Sequence, residues 1–243
     1  MNFAMLASLL TALCTVLGAL PILLFTQVTH RGRDILLAFT AGIMVSASTY
    51  GLIPSALRLS NLFVLSAGVL LGTAVLLLME RYVPHEDPHH AAEGSALRTG
   101  AFFFLAAMAL HNLPEGLSVG VSYGSSSHSL GAVVALSIGL QNVPEGFLTA
   151  LFLITRGMRK HQAIGWTAMT GLVEWLFCWV GYTFSDGFQA IVPYGLAFAA
   201  GAMLFVVYKE LIPESHGDGN ERSSTFAFIV GLLFMIGMTH MLT

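Results

Sequence analysis

Two copies of one short polar motif stand out in this chain: HNLPEG at residues 111–116 and QNVPEG at residues 141–146. Each copy places an imidazole or amide, a carboxamide, a proline and a carboxylate within an otherwise apolar stretch. Such groups are costly at membrane depth and usually mark an ion or substrate path. The two motifs therefore predict a metal-ion site inside a membrane.

The spacing within each motif suits metal binding. His111 and Glu115 are four residues apart, and so are Gln141 and Glu145. Each pair therefore projects from one face of a helix, with Cβ atoms about 6 Å apart. The proline in each motif removes a backbone donor and kinks the helix, which frees carbonyl oxygens for water or a cation. One cation could contact both members of a pair.

A third carboxylate, Glu174, lies on the polar face of another apolar segment. Three polar helix faces avoid lipid only by facing one another, and three clustered carboxylates without a cation would repel. A divalent cation resolves this conflict, and imidazole, carboxylate and amide oxygen donors suit zinc, iron or manganese. The alternative is that these groups are structural hydrogen-bonding residues, as buried polar side chains often are.

The two motif asparagines are open to either interpretation. Asn112 and Asn142 each follow directly after the first motif residue, so they face about 100° away from the paired ligands. They are either ligands of a second layer or hydrogen-bonding residues between helices.

The composition indicates an integral membrane protein. Hydrophobic residues make up 56% of the chain and charged residues 9%, against about 25% charged residues in soluble domains. Apolar windows of about 20 residues each predict an all-α integral membrane protein with eight transmembrane helices in a single transmembrane domain, 1–243. The windows are residues 3–26, 35–58, 62–80, 100–123, 129–154, 162–184, 190–212 and 224–242.

The basic residues predict the orientation. Nine of the ten lysines and arginines lie in or beside the loops that follow odd-numbered helices, and only Arg58 lies at the end of an even-numbered one. Under the positive-inside rule the odd-numbered loops are cytoplasmic and both termini are extracytoplasmic. The nine residues are Arg31, Arg33, Arg81, Arg98, Arg156, Arg159, Lys160, Lys209 and Arg222.

An internal similarity links the second and seventh predicted helices. Residues 38–57 read AFTAGIMVSASTYGLIPSAL and residues 197–216 read AFAAGAMLFVVYKELIPESH, an offset of 159. The two helices cross the membrane in opposite directions, which predicts inverted three-helix repeats, helices one to three and six to eight, flanking the kinked helices four and five. Chance similarity between two segments rich in alanine and glycine is the alternative.

Together the paired motifs on helices four and five, Glu174 on helix six and the eight spans resemble the ZIP (Zrt/Irt-like) divalent-metal transporters, above all their GufA-like bacterial branch. The resemblance implies a transport site formed by His111, Glu115, Gln141 and Glu145. In relatives with a second metal, its ligands match Asn112, Asn142 and Glu174. Some relatives carry aspartate in place of Asn142 and others histidine in place of Gln141, so this chain lacks a charge at one position and a softer donor at the other.

The resemblance also implies an activity. The protein would carry a divalent metal cation, most of all Zn²⁺ and otherwise Fe²⁺, Mn²⁺ or Cd²⁺, across the cytoplasmic membrane into the cytosol by alternating access. It would be a homodimer in the lipid bilayer, would bind no nucleic acid and would not be an enzyme. Two other classes stay open: an intramembrane metal-dependent hydrolase, although HNLPE differs from HExxH, and a metal-gated channel or sensor, which the same ligands would serve.

Two peripheral groups of residues are each open to two interpretations. The cytoplasmic loop at residues 81–99 carries His85, His89 and His90, a composition that binds metal weakly or forms a solvated linker. The end of the seventh helix carries Glu210, Glu214 and His216. These three either pass metal to the cytosol or form an ordinary solvated helix end.

Overall fold

The computed structural model describes residues 3–81, 96–125, 128–217 and 219–242, and gives the side chains of these ranges except at 96–100, 128 and 242. Eight long helical segments, named α1 to α8, account for nearly all of the described chain, and these residues contain no strand. The prediction of an all-α protein with eight helices is therefore confirmed.

The helices have the following bounds. α1 is Phe3–Ala19, extended by a 3₁₀ turn at Leu20–Leu23, and α2 is His30–Ser46, continued through a π-helical turn at Ala47–Leu52 into Ile53–Leu59. α3 is Leu62–Glu80, α4 is Ala96–Gly124, α5 is His128–Thr155 and α6 is Lys160–Gly187. After a 3₁₀ turn at Gln189–Ile191, α7 is Val192–Val206, continued through a π-helical turn at Val207–Leu211 into Ile212–His216, and α8 is Glu221–Leu242.

Seven of the eight helices in the described ranges are long and apolar enough to cross a membrane, by length and composition. The exception is α5. Its hydropathy is lowered by the polar motif itself, because Gln141, Asn142 and Glu145 all lie in the middle of this helix. The span that falls short by composition is therefore one that carries the candidate site.

The helices pack in four close pairs: α1 with α5, α4 with α6, α2 with α8, and α3 with α7. Glycine permits the close approach. A Cβ atom added at Gly42 of α2 would lie 2.2 Å from the carbonyl oxygen of Phe228, and one at Gly231 of α8 would lie 2.3 Å from that of Phe39. These distances are too short for any side chain, so the backbones of α2 and α8 touch at both glycines.

The pair α3 and α7 repeats these contacts. A Cβ atom at Gly72 would lie 2.1 Å from the carbonyl oxygen of Phe198, and one at Gly201 would lie 2.1 Å from that of Val69. All four residues lie 159 positions from their counterparts in the α2–α8 pair. The π-helical turns of α2 and α7 likewise each precede an Ile-Pro dipeptide with the same offset. These correspondences support the predicted inverted repeat.

Replacing Gly231 by alanine is expected to destabilise the protein. The added methyl group would force α8 away from α2, and overpacking of this kind costs about 1–3 kcal/mol. Thermal unfolding in detergent measures the effect. Gly237→Ala on the same helix is the matched control, because a Cβ there has no neighbour within 4 Å; equal melting temperatures for the two variants would contradict the packing described.

Candidate metal centre

The centre of the site is a pair of side chains that joins α4 to α5. Gln141 donates a hydrogen bond from Nε2 to Oε1 of Glu115 at 2.5 Å, and both residues are fully buried. Oε2 of Glu115 and Oε1 of Gln141 are buried and accept no hydrogen bond from the described residues. Buried oxygens without a donor are costly, and a cation that contacts both side chains would satisfy both oxygens.

Glu145 adds a second carboxylate on α5. It lies one helical turn beyond Gln141 and interacts electrostatically with Glu115 and with His111. Its side chain is nearly buried and reaches the wall of a cavity. The two motifs thus bring one imidazole, two carboxylates and one amide into the same region between α4 and α5.

His111 connects the site to α7. Its Nε2 lies 2.5 Å from Oε2 of Glu210, and both side chains are largely buried. Glu210 belongs to the π-helical turn of α7, and such turns occur frequently at functional sites. His111, the first residue of the HNLPEG motif, therefore contacts a carboxylate that belongs to neither motif.

Glu174 of α6 forms a separate hydrogen-bonded group. It accepts hydrogen bonds from the Thr11 hydroxyl of α1 and from Nδ2 of Asn142 at 2.7 Å. The same nitrogen of Asn142 donates to the carbonyl oxygen of Thr11 at 3.0 Å. Both partners of Asn142 are acceptors, so its amide orientation is fixed by the contacts. Asn142 thus forms hydrogen bonds between helices, one of the two roles left open by the sequence.

The three carboxylates do not form one compact cluster. Glu115 interacts electrostatically with both Glu145 and Glu174. The described part of the chain nevertheless contains no group of three or more His, Cys, Asp or Glu side chains placed to hold a metal ion. Like charges repel, and Glu115 and Glu174 have separate donors: Gln141 for Glu115, and Asn142 with Thr11 for Glu174. The simple convergence expected from the sequence is therefore not seen in this arrangement.

A cavity of about 360 Å³ leads to the site from one side. His111 and Glu145 lie in its wall, together with Glu210. It continues past the start of α2 and the ends of α5 and α7, where His30, Arg33, Thr155 and Glu214 line it. These helix ends belong to the side predicted to be cytoplasmic. The site is thus accessible from that side.

The opposite side of the motifs is packed with apolar side chains. Val119 lies one turn beyond Glu115 on α4, and Ile138 lies about one turn before Gln141 on α5. Both are fully buried in the largest hydrophobic cluster of the described residues, with Val134. The structure is consequently open toward one side of the predicted membrane and closed toward the other.

The remaining candidate residues lie in different places. Glu214 pairs with Arg33 at 3.3 Å and lines the cavity. The Nδ1 atom of His216 instead lies 3.0 Å from the Ser215 hydroxyl and from the carbonyl oxygen of Ile212. Asn112 is buried within α4. His85, His89 and His90 lie outside the described residues.

Two contributions to the site were not predicted from the sequence. Thr11 supplies a donor to Glu174, and its signal was the spacing of Ser8, Thr11 and Thr15 along one face of α1, all of them buried. The second contribution comes from the glycine that ends each motif. A Cβ at Gly116 would lie 2.1 Å from the carbonyl oxygen of Glu174, and one at Gly146 would lie 2.0 Å from that of Thr15. These glycines hold α6 and α1 against the motif helices.

The fold and the site define a class of protein. A multi-pass helical membrane protein that buries carboxylates, amides and an imidazole at the end of a one-sided cavity is suited to moving a cation through the bilayer.

Comparison with known proteins makes the assignment specific. The model of the family described as ZIP zinc transporter matches residues 80–242. The chain is 36% identical to the zinc transporter GufA of Myxococcus xanthus, over 97% of each chain. It is 33% identical to the zinc transporter ZIPB of Bordetella bronchiseptica, over 91% of this chain and 75% of that one. The chain therefore belongs to the ZIP zinc transporter family.

The one-sided cavity predicts the accessibility of cysteines placed along α5. With Cys14 and Cys178 replaced by serine, Thr149→Cys is expected to react with a membrane-impermeant maleimide in inside-out vesicles, because Thr149 lines the cavity. Ser137→Cys is the matched control, since Ser137 is fully buried on the packed side of the motif. Fast labelling at position 137 with protection at position 149 would contradict the geometry.

Proposed function

We propose that this protein carries a divalent metal cation, zinc before others, across the cytoplasmic membrane into the cytosol. The observation that carries the proposal is that two buried oxygens of this hydrogen-bonded pair, Oε2 of Glu115 and Oε1 of Gln141, accept no hydrogen bond from the described residues. Relatives named as zinc transporters over nearly the whole chain support the choice of metal. Fe²⁺, Mn²⁺ and Cd²⁺ are the other candidate substrates for this donor set.

The proposed ligands are the four residues of the paired motifs: His111, Glu115, Gln141 and Glu145. They combine one imidazole nitrogen with carboxylate and amide oxygens, donors that zinc accepts at about 2.0–2.2 Å. For His111 to serve as a ligand, its contact with Glu210 must give way or become a bridge to the metal. The layer around these ligands then consists of Glu174, Asn112 and Asn142. Within it, Asn142 donates a hydrogen bond to Glu174.

The packing supports transport by relative motion of two groups of helices. Apart from Gly195, each glycine that lies in close contact with another described helix contacts a partner within one of two sets, α1, α4, α5 and α6 or α2, α3, α7 and α8. Gly195 of α7 instead has the Val121 side chain of α4 as its nearest neighbour. Glycine contacts thus join α1, α4, α5 and α6 to one another, and join α2 to α8 and α3 to α7, whereas the one glycine contact between the two sets is with a side chain. We infer that the first set moves with the metal against the second.

The closed outer side favours a carrier over an open pore. A channel needs a continuous path, whereas the cavity ends at the motifs and apolar residues pack beyond them.

The proposed orientation places both termini outside, in agreement with the distribution of basic residues. The homodimer is proposed from the family resemblance alone.

Removing one carboxylate from the site is expected to abolish most transport. Glu115→Gln and Glu145→Gln each keep the size of the side chain but remove its charge. Because even indirect disturbance of metal ligands costs about 10–100-fold, zinc uptake into proteoliposomes should fall at least that much. Glu221→Gln, at the exposed start of α8, is the control. Wild-type uptake by both site variants would rule out the proposed centre.

Metal affinity is expected to fall as the pH falls. The ligands bind metal in their deprotonated forms, so protons compete with zinc at His111 and at the carboxylates. The apparent dissociation constant for zinc should therefore rise from neutral to acid pH, and binding should release protons. Isothermal titration calorimetry in buffers of different ionisation enthalpy measures both. An affinity independent of pH, with no proton release, would contradict this ligand set.

A further inference from the structure

A second cavity lies on the membrane-facing side of α4 and α6. The two helices touch along their extracytoplasmic halves, where a Cβ at Gly116 or Gly120 would meet the backbone of α6 at 2.1–2.2 Å. Toward the other end they separate and leave a space of about 600 Å³. We call this space the wedge. It is lined by Ala101, Phe102, Leu105, Ala106 and Ala109 of α4, by Gln162, Trp166, Met169, Thr170 and Val173 of α6, and by Arg156, Gly157 and Met158 of the connection before α6.

The rim of the wedge faces the hydrocarbon of the bilayer. Phe102 is 69% exposed, Trp166 50% and Met169 52%, and all three lie within helices that are apolar enough to cross a membrane. An apolar cavity that opens sideways at this depth is accessible to acyl chains rather than to bulk water. Its size falls within the range of about 300–1,000 Å³ that is usual for small-molecule sites.

Arg156 lies at the end of the wedge nearest the predicted cytoplasmic surface. It follows the last residue of α5 and is only 8% exposed. Its guanidinium carbon lies 4.8 Å from the centroid of the Phe152 ring, which helps to fix the side chain. A guanidinium group carries five N–H donors and suits phosphate. The wedge therefore combines an apolar slot at acyl-chain depth with a buried cation at headgroup depth.

We propose that the wedge binds an anionic phospholipid of the cytoplasmic leaflet, with its phosphate at Arg156 and one acyl chain between α4 and α6. Basic pockets between transmembrane helices on this side of a membrane are suited to anionic headgroups. Arg159 and Lys160 follow on the same surface and add positive charge that attracts an anionic lipid to the entrance.

The bound lipid would lie directly behind the metal centre. Phe152, under the guanidinium of Arg156, stacks on Phe104 with ring centroids 3.8 Å apart, and both rings line the cavity that leads to His111 and Glu145. Thr170 and Val173 of the wedge lie in the turn of α6 that leads to Glu174. A lipid that fills the wedge would hold α4 and α6 at a fixed separation, and so would act on the set of helices that carries the site.

Native mass spectrometry of the purified full-length protein tests the binding without any assumption about transport. With phosphatidylglycerol added, Arg156→Gln should bind the lipid about tenfold more weakly than the wild type, because a charge-assisted contact is lost. Arg159→Gln removes the same charge from an exposed position of the same connection, where the charge adds only to the long-range attraction of the lipid, and should therefore weaken binding much less than Arg156→Gln does. Ala106→Phe fills the wedge but keeps Arg156, and should also reduce binding.

Equal lipid binding by the wild type, Arg156→Gln and Ala106→Phe would overturn the proposal. Loss in Arg159→Gln as large as in Arg156→Gln would also overturn it, since the attraction would then be a general surface effect.

Zinc uptake gives a second readout, which rests on the proposed transport function. In vesicles of phosphatidylcholine alone, the wild type and Arg156→Gln should be equally active, whereas added phosphatidylglycerol should stimulate only the wild type. Stimulation of both proteins to the same extent would contradict regulation through the wedge. Absence of zinc uptake in every lipid would instead refute the transport function, and would leave the binding result as it stands.

Discussion

The structure depends on compensating polar groups that lie at membrane depth. Glu115 and Glu174 are fully buried among helices that are otherwise apolar, where an unpaired carboxylate is expensive. Amides meet both of them: Gln141 bonds to Glu115, and Asn142 to Glu174. The second motif thus supplies a donor to each of the other two polar helices, and this requirement fixes the position of α5 against both α4 and α6.

The hydrogen bonds of these buried side chains also require close helix packing. Amide and carboxylate side chains are short, so they meet only if their helices approach closely, and the motif glycines permit that approach. Gly116 brings α4 against α6 beside Glu174, and Gly146 brings α5 against α1 near Thr11. The sequence PEG therefore combines a buried carboxylate with the glycine that lets a neighbouring helix approach closely.

Much of this could be predicted from the sequence, because the relevant signals are local. The eight helices follow from apolar windows, and the approach of the two motifs to each other follows from polar faces that must avoid lipid. The contact of His111 with Glu210 could not be predicted, since it depends on how α7 packs against distant segments. The polar face of α1 marks Thr11, but its partner Glu174 depends on how α1 packs against α6. The separation of α4 from α6 that forms the wedge is likewise a property of tertiary packing, with no periodic signal in the sequence.

In the proposed mechanism, His111 and the carboxylate and amide oxygens of α4 and α5 hold the transported metal. Zinc-edge X-ray absorption of the zinc-loaded protein reports these ligands. We expect a shell of nitrogen and oxygen donors at about 2.0–2.2 Å, with imidazole scattering that disappears in His111→Gln. A sulfur donor at about 2.3 Å, contributed by Cys14 or Cys178, or imidazole scattering unchanged in the variant, would contradict it.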